Sequence, residues 1–398
     1  MTTDPLAPPA FPQGGSPAPT LASLRLPGDL ADLGEKVLAQ ERLSYEDGMR
    51  LYEHPDLLAV GRLADAVRRR LHGDVVFYNV NRHINPTNVC MQECSFCAFG
   101  RKAADPLAYE MSHQEVYDRA ASCVAQGATE LHIVAGLHPL FDLAWYEDCF
   151  RGLKARFPSL HLKCMTAVEI AYFAKTERLD HETVLQRLVD AGLQSMPGGG
   201  AEIFHPDVRK QICDNKCDAD EWIQIHRTAH GMGLKSNCTM LYGHIEAAEH
   251  RVDHVLRIRA LQDETGGFQA FIPLAFHPEN TALSHLPGPT GRLDLRVMAV
   301  SRLLLDNVPH VKAYWIMLGP KTAQIALSFG ADDLDGTVQE ETIYHMAGSS
   351  TPTSLSTDDI EQLIRDAGRE PIERDTLYNV VRVPAPVASG FSRTAQSA

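Results

Sequence analysis

An α/β fold, arranged as a (β/α)8 TIM-type barrel, is what this 398-residue sequence predicts. Three observations lead there. Short apolar runs alternate with helical stretches through the middle of the chain, the pattern of a parallel sheet with helices packed outside it. Seven or eight such units fit within about 260 residues, the size of a closed barrel. An open dinucleotide-binding sheet would place G-x-G-x-x-G after its first strand, and three cysteines occupy that position instead.

Taken in order, residues 1–27 are rich in Pro, Ala, Ser and Gly and read as a disordered N-terminal tail, unable to bury enough apolar surface to fold. Residues 28–73 form a helical cap, because LADLGEKVLAQ and LLAVGRLADAVRRRL repeat apolar residues at three- and four-residue spacing. The barrel is expected over 74–355, with its first strand at 74–84 and the cysteine loop directly after it. Ser112 and Glu115 make a capping box for a helix that ends near Gly127. Strands are then expected at 131–136, 161–169, LQSMP, 234–241, 268–276 and 311–318. Helices fill LAWYEDCFRGLKARF, 180–191, 220–230, 247–264 and 292–305 between them. One amphipathic helix and the extended TLYNVVRV make a C-terminal extension over 356–383, and 384–398 read as a second disordered tail.

Composition narrows the function. The 44% hydrophobic content is that of a globular protein, and no apolar run approaches the roughly 20 residues that span a bilayer. No charged n-region precedes an apolar core, so no secretory signal is expected and the reading is cytoplasmic, with no membrane partner. With 37 Lys and Arg against 51 Asp and Glu, the net charge is -14, and only Arg68–Arg70 resembles a basic stripe. That run reads as the solvated end of a helix, and nucleic acid is not an expected partner. The nine cysteines are an odd number and do not suggest a disulfide framework in a chain this long. Cys123, Cys149, Cys164 and Cys238 read as small core residues.

Chemistry concentrates in NRHINPTNVCMQECSFCAFGR, where Cys90, Cys94 and Cys97 are spaced C-x3-C-x2-C. Three thiolates on one short loop can wrap a compact metal centre. A four-iron cubane normally takes four cysteines, so three would leave one iron open. Structural zinc would want a fourth ligand from a second, distant cysteine pair, and none matches well. Cys213 and Cys217 lack further cysteines nearby, and His226 and His230, one helical turn apart, lack the carboxylate of H-E-x-x-H. The cysteine pair does not read as half of a second cluster, the histidines read as a solvated or packed helix face, and none of the four has an assigned role. Gly136 ends the second strand, where a missing side chain lets backbone amides approach a ligand. Glu169, after TAV, is placed to bond a ribose hydroxyl or an ammonium, or else to pair with a barrel arginine.

Cys90, Cys94, Phe96 and Cys97 resemble the C-x3-C-x-aromatic-C loop of the radical S-adenosylmethionine (SAM) superfamily. The resemblance implies one [4Fe–4S] cluster per chain, ligated by the three cysteines, whose open iron chelates SAM as co-substrate. It also implies that the Gly136 loop contacts the methionine part of SAM, with Ala135 standing where relatives often have a second glycine. Over residues 30 to 383, NRHINPTNVC, ATELHIVAGLHP, PGGGAEIF, SNCTMLYGHIE, IPLAFHPEN and ERDTLYNVV resemble the aminofutalosine synthase family. The alternative is the paralogous dehypoxanthinyl futalosine cyclase. SNCTMLYGH, IPLAFHPEN and His83 favour the synthases.

That resemblance implies a transferase of menaquinone biosynthesis. A 5'-deoxyadenosyl radical adds to 3-[(1-carboxyvinyl)oxy]benzoate, giving 6-amino-6-deoxyfutalosine, methionine and bicarbonate. It further implies an electron donor of flavodoxin or ferredoxin type. A substrate with two carboxylates needs cationic or donor groups, and His83, Arg101, His138 and His277 are the candidates. A simple electron carrier would ligate all four irons with cysteine and would need no large barrel.

Overall fold

The computed structural model describes residues 19–385. Seven parallel strands follow one another in chain order around a curled sheet: Asn81–Ile84 (β2), Glu130–Ile133 (β3), His161–Cys164 (β4), Ser195–Met196 (β5), Lys235–Tyr242 (β6), Phe268–Ala275 (β7) and His310–Val311 (β8). The segment 332–339 bridges the two edges. Asp332 N donates to Val311 O at 3.1 Å on the β8 side, and His83 N donates to Gln339 O at 3.1 Å on the β2 side. This segment takes the eighth position of the expected barrel.

The first strand differs from expectation. In place of one strand over 74–84 there are two, Val75–Asn79 (β1) and β2, separated at Val80. β1 belongs to an outer sheet with Asp333–Gly336 (β9), Glu370–Arg374 (β10) and Val380–Arg382 (β11), in the order β11-β10-β1-β9. The cause is the shared segment 332–339. Thr337 N donates to Asn79 O at 3.1 Å and Val338 N to Asn81 Oδ1 at 2.9 Å, so one stretch of chain pairs with both. Gly336 permits this crossing, since a Cβ there would lie 2.2 Å from Asn79 Oδ1.

Further strands are shorter than their apolar runs: β3 ends at Ile133 of the run 131–136, and β5 covers only Ser195–Met196 of LQSMP. β4 stops at Cys164 because Met165 turns to φ 61° and Thr166 caps a helix, Ala167–Glu177. β8 covers only His310–Val311 of its run, and Trp315–Leu318 is helical. A continuous buried apolar run does not by itself distinguish strand from helix. At the N-terminus, residues 1–18 lie outside the described part, as do 386–398. Residues 21–24, expected in the disordered tail, form the helix Leu21–Leu24, started by a Thr20–Ser23 capping box and anchored by buried Leu24.

The helical cap holds Ala31–Ala39, Tyr45–Glu53 and Leu57–His72. Its basic run is solvated only in part: Arg70 is exposed and donates to Val37 O at 2.8 Å, Arg69 is half-buried and bonds Asp74 at 2.5 Å, but Arg68 is fully buried and bonds Asp65 at 2.9 Å. No described helix is long and apolar enough to cross a membrane.

Asp332 fastens the bridging segment to β8. It accepts bonds from Arg302 at 2.6 Å, His310 Nδ1 at 2.5 Å and Val311 N at 2.8 Å. Burial alone would push this carboxyl up, but His72, His310 and Arg302 outweigh it and hold it far below the usual range. Removing one partner of a buried pair leaves the other charge uncompensated, at a cost of about 3–5 kcal/mol. Asp332→Ala is therefore expected to lose about that much stability in urea unfolding. An unchanged midpoint would show that the barrel does not depend on this junction.

Candidate active site

The chain ends of β2 to β8 surround a cavity of about 370 Å³, within the range of small-molecule pockets. Cys90, Cys94 and Cys97 all line it. Their loop is tied down at both ends by backbone bonds: Gly136 N to Thr87 O at 3.0 Å, Cys90 N to Arg101 O at 2.9 Å, and Met91 N to Leu137 O at 2.9 Å. Its middle is held by Ser95 N donating to Ile212 O at 2.9 Å. Amides of Gln92 and Leu137 approach Cys90 Sγ at 3.4 Å, and that of Gly100 approaches Cys97 Sγ at 3.4 Å. Such N–H···S contacts suit metal-bound thiolates, whose potential they tune. Burial pushes the Cys94 thiol up to about 12, which a coordinating metal would reverse. Soft donors alone, on one loop over one cavity, fit an iron–sulfur cluster.

Phe96 also lines the cavity, and Lys216 Nζ lies 4.9 Å from its ring centroid. Gly136 is a lining residue too, and the structure gives its lack of a side chain a more local reason than ligand approach. A Cβ there would meet Val89 O at 2.3 Å, because the cysteine loop passes directly over it. Glu169 lines the cavity but pairs with no arginine among the described residues. Its carboxylate closes a capping box, accepting from Thr166 N at 2.6 Å and Thr166 Oγ1 at 2.9 Å, and its other oxygen accepts from Ala135 N at 3.2 Å. It thereby ties the end of β3 to the start of the next helix. Burial pushes this carboxyl up to about 7, against the lowering effect of the Thr166 and Ala135 bonds.

The four candidates for the substrate separate. His83 lines the cavity. Arg101 does as well, but its guanidinium turns back onto Ala98 O at 2.7 Å and Gly100 O at 3.0 Å and braces the cysteine loop. His138 is outside the lining: its Nε2 donates to Glu110 at 2.8 Å while Nδ1 accepts from Leu140 N. His277 is also outside, donating to Met317 O at 3.0 Å. Cys213 and Cys217 pack with the core beside the loop. His226 and His230 both bond Ser236 Oγ, at 3.0 and 2.8 Å, within a buried network.

Several lining residues were not singled out in the sequence. Lys163 pairs with Glu130 at 2.6 Å, Lys312 with Asp335 at 2.9 Å, and Lys216 with Glu202 at 2.6 Å. His132 stands beside His83 in register, their ring centroids 4.4 Å apart, and Tyr314 lies on the other side of His83 at 6.4 Å. Position in a strand was the available signal, since His132 precedes Gly136 by four residues and faces the same interior as His83. The Gly136→Ala substitution would force the Val89 carbonyl to move, and the reconstituted variant is expected to bind well under half the iron of the wild type while keeping its far-UV circular dichroism. Full iron content would show that the crossing does not set the loop.

Comparisons with known proteins follow the same lines. Residues 84–258 match the radical SAM superfamily, and residues 265–387 match the CofH/MqnC C-terminal region. The chain is 49% identical over 362 residues to an aminodeoxyfutalosine synthase of Streptomyces coelicolor, covering 88% of this chain and 94% of that one. It is 48% identical over 358 residues to one of Thermus thermophilus, covering 89% and 96%. A 5-amino-6-(D-ribitylamino)uracil–L-tyrosine 4-hydroxyphenyl transferase of Methanopyrus kandleri is 43% identical, over 82% of this chain and 90% of its own. Among solved structures, methylornithine synthase superposes with a TM-score of 0.68 at 17% identity, covering 85% of this chain and 97% of its own. The hydrogenase maturase HydG from Carboxydothermus hydrogenoformans gives 0.69 at 14%, covering 88% and 80%. At such identities the structural likeness concerns the fold alone.

Proposed function

The chain belongs to the aminodeoxyfutalosine synthase family of radical SAM enzymes, and on that premise we propose that it converts SAM, 3-[(1-carboxyvinyl)oxy]benzoate and one water into 6-amino-6-deoxyfutalosine, methionine, bicarbonate and a proton. One observation carries the proposal: 48–49% identity to two synthases over nearly the whole of both chains. The cyclase alternative is not favoured by these relatives. In this reading the enzyme is a carbon–carbon bond-forming transferase of menaquinone biosynthesis. Its electron comes from a donor of flavodoxin or ferredoxin type.

Cys90, Cys94 and Cys97 would hold one [4Fe–4S] cluster, which when bound supplies the electron that breaks a carbon–sulfur bond of SAM. The chain's own residues do the rest. The backbone bonds from Thr87, Arg101 and Leu137 hold the three sulfurs toward one cavity. Glu169 keeps the Ala135–Gly136 backbone in place beside them, by its bond to Ala135 N. Val134, Ile272 and Leu274 give the cavity apolar walls, and Ile343 and Tyr344 line it from the segment after the bridging strand. Enclosure of this kind matters because a carbon radical attacks whatever is nearest, so water and stray hydrogen donors must be kept away. Holding both substrates in contact also removes the entropic cost of their encounter. Of the substrate candidates, His83 and Arg101 line the cavity, and His83 is the one with a polar atom left without a partner there, since the Arg101 guanidinium bonds its own loop.

Anaerobically reconstituted protein with SAM, dithionite and 3-[(1-carboxyvinyl)oxy]benzoate is expected to give an adenine-containing adduct and equimolar methionine by mass spectrometry. Cys94→Ala should give neither. Formation of 5'-deoxyadenosine alone by the wild type would keep the radical chemistry but sink the assignment of this substrate.

A further inference from the structure

Among the described residues, five cationic side chains line the cavity, and each is already engaged. Lys163, Lys312 and Lys216 pair with Glu130, Asp335 and Glu202, Lys102 pairs with Glu93, and Arg101 bonds its own loop. The carboxylate of Glu341 is likewise taken up by the amides of Ile343 and Tyr344. What is left unsatisfied is neutral. Among the described lining residues, the buried polar atoms without a partner are His83 Nε2, His132 Nε2, Tyr314 Oη and Gln92 Oε1. Gln92 belongs to the cysteine loop, whereas the other three are clustered, with the His83 ring 4.4 Å from His132 and 6.4 Å from Tyr314. An unsatisfied buried polar group costs about 1–3 kcal/mol, and three together in one cavity call for a ligand.

Their depth indicates which part of a ligand they meet. His83 and His132 stand on the barrel strands themselves, in register with each other and with Lys163 on β4. The cysteines come only after β2 has ended. His83 and His132 therefore sit deeper in the barrel than the cysteines, and Tyr314 stands beside His83, with Val134, Ile272 and Leu274 among the apolar lining. A substrate whose double bond reacts near the cysteine end must extend its other end toward the trio. For the proposed substrate that other end is the aromatic ring with its own carboxylate.

We infer that His83, His132 and Tyr314 form the binding site for the ring carboxylate of the substrate. The inference rests on the synthase reading for the identity of the ligand. Each neutral imidazole has one N–H to give and the phenol has one O–H, enough donors for two carboxylate oxygens. Burial supports these protonation states, pushing both imidazoles down and the Tyr314 phenol well up. A cation is not required, because hydrogen bonds to a charged acceptor are among the stronger ones.

The test is binding to the anaerobically reconstituted holoenzyme with SAM present, using 3-methoxybenzoate and 3-methylanisole, which carries a methyl group in place of the carboxylate. Tyr314→Phe and His132→Gln are each expected to weaken 3-methoxybenzoate about tenfold, the size of one hydrogen bond to a charged group. Both should leave 3-methylanisole within about twofold, since no polar contact is lost. Unchanged 3-methoxybenzoate affinity in both variants, equal loss for both probes, or no binding of 3-methoxybenzoate by the wild type would overturn the inference. Unfolding midpoints and iron content close to wild type exclude a folding defect as the cause of any loss. Adduct formation by the wild type is read separately. Its absence beside intact carboxylate discrimination would remove the synthase reading and keep the site.

Discussion

The backbone of residues 87–91 lies directly across Gly136, and the cavity takes its form from that crossing. The Val89 carbonyl occupies the volume where any other residue at 136 would place its Cβ, 2.3 Å away. Bonds from Gly136 N to Thr87 O and from Met91 N to Leu137 O join the two segments on either side of the contact. The cysteine loop is consequently seated on the end of β3 by backbone, so its placement does not wait on side-chain packing. Glu169 extends the same support one strand further, through its bonds to Ala135 and Thr166. Sulfurs held this way lose little further conformational freedom when a metal centre binds, which is what pre-organisation means for a metal site.

Much of this was legible in the sequence because the signals were local. The spacing of Cys90, Cys94 and Cys97 marks the loop, Ser112 with Glu115 marks a helix start, and alternation of strand and helix marks the barrel. Thr166 with Glu169 carries the same S/T-x-x-E signature, yet an apolar run led the strand reading through it. The rest was hidden because it depends on contacts across the chain. Nothing near Asn79 or Asn81 announces that residues 332–339 will pair with both and split the strand. Arg101, His138 and His277 had suitable chemistry and suitable positions, but their partners are carbonyls or a carboxylate that only the folded chain brings near. His132 lay within ATELHIVAGLHP without being singled out and Tyr314 belonged to no motif, and only closure of the barrel sets them beside His83.

The charge inside the barrel follows one rule. Lys163 with Glu130, Lys312 with Asp335 and Arg374 with Asp333 are matched pairs at 2.6–2.9 Å, so the interior carries little net charge although it is rich in ions. Unpaired buried charges would be expensive, and paired ones fix geometry without necessarily adding stability. The polar atoms left without a partner on the cavity wall are accordingly neutral ones, among the described residues. The overall charge of -14 does not reach the site as an unpaired field.

Electron paramagnetic resonance of the dithionite-reduced holoenzyme, recorded with and without SAM, tests the central claim most directly. That claim is that the loop over Gly136 holds a cluster with three protein ligands and one iron open to SAM. The reduced cluster is expected to show a signal that changes when SAM is added, because a ligand has joined the open iron. A signal that stays the same at saturating SAM would mean that all four irons are already ligated, and would contradict it.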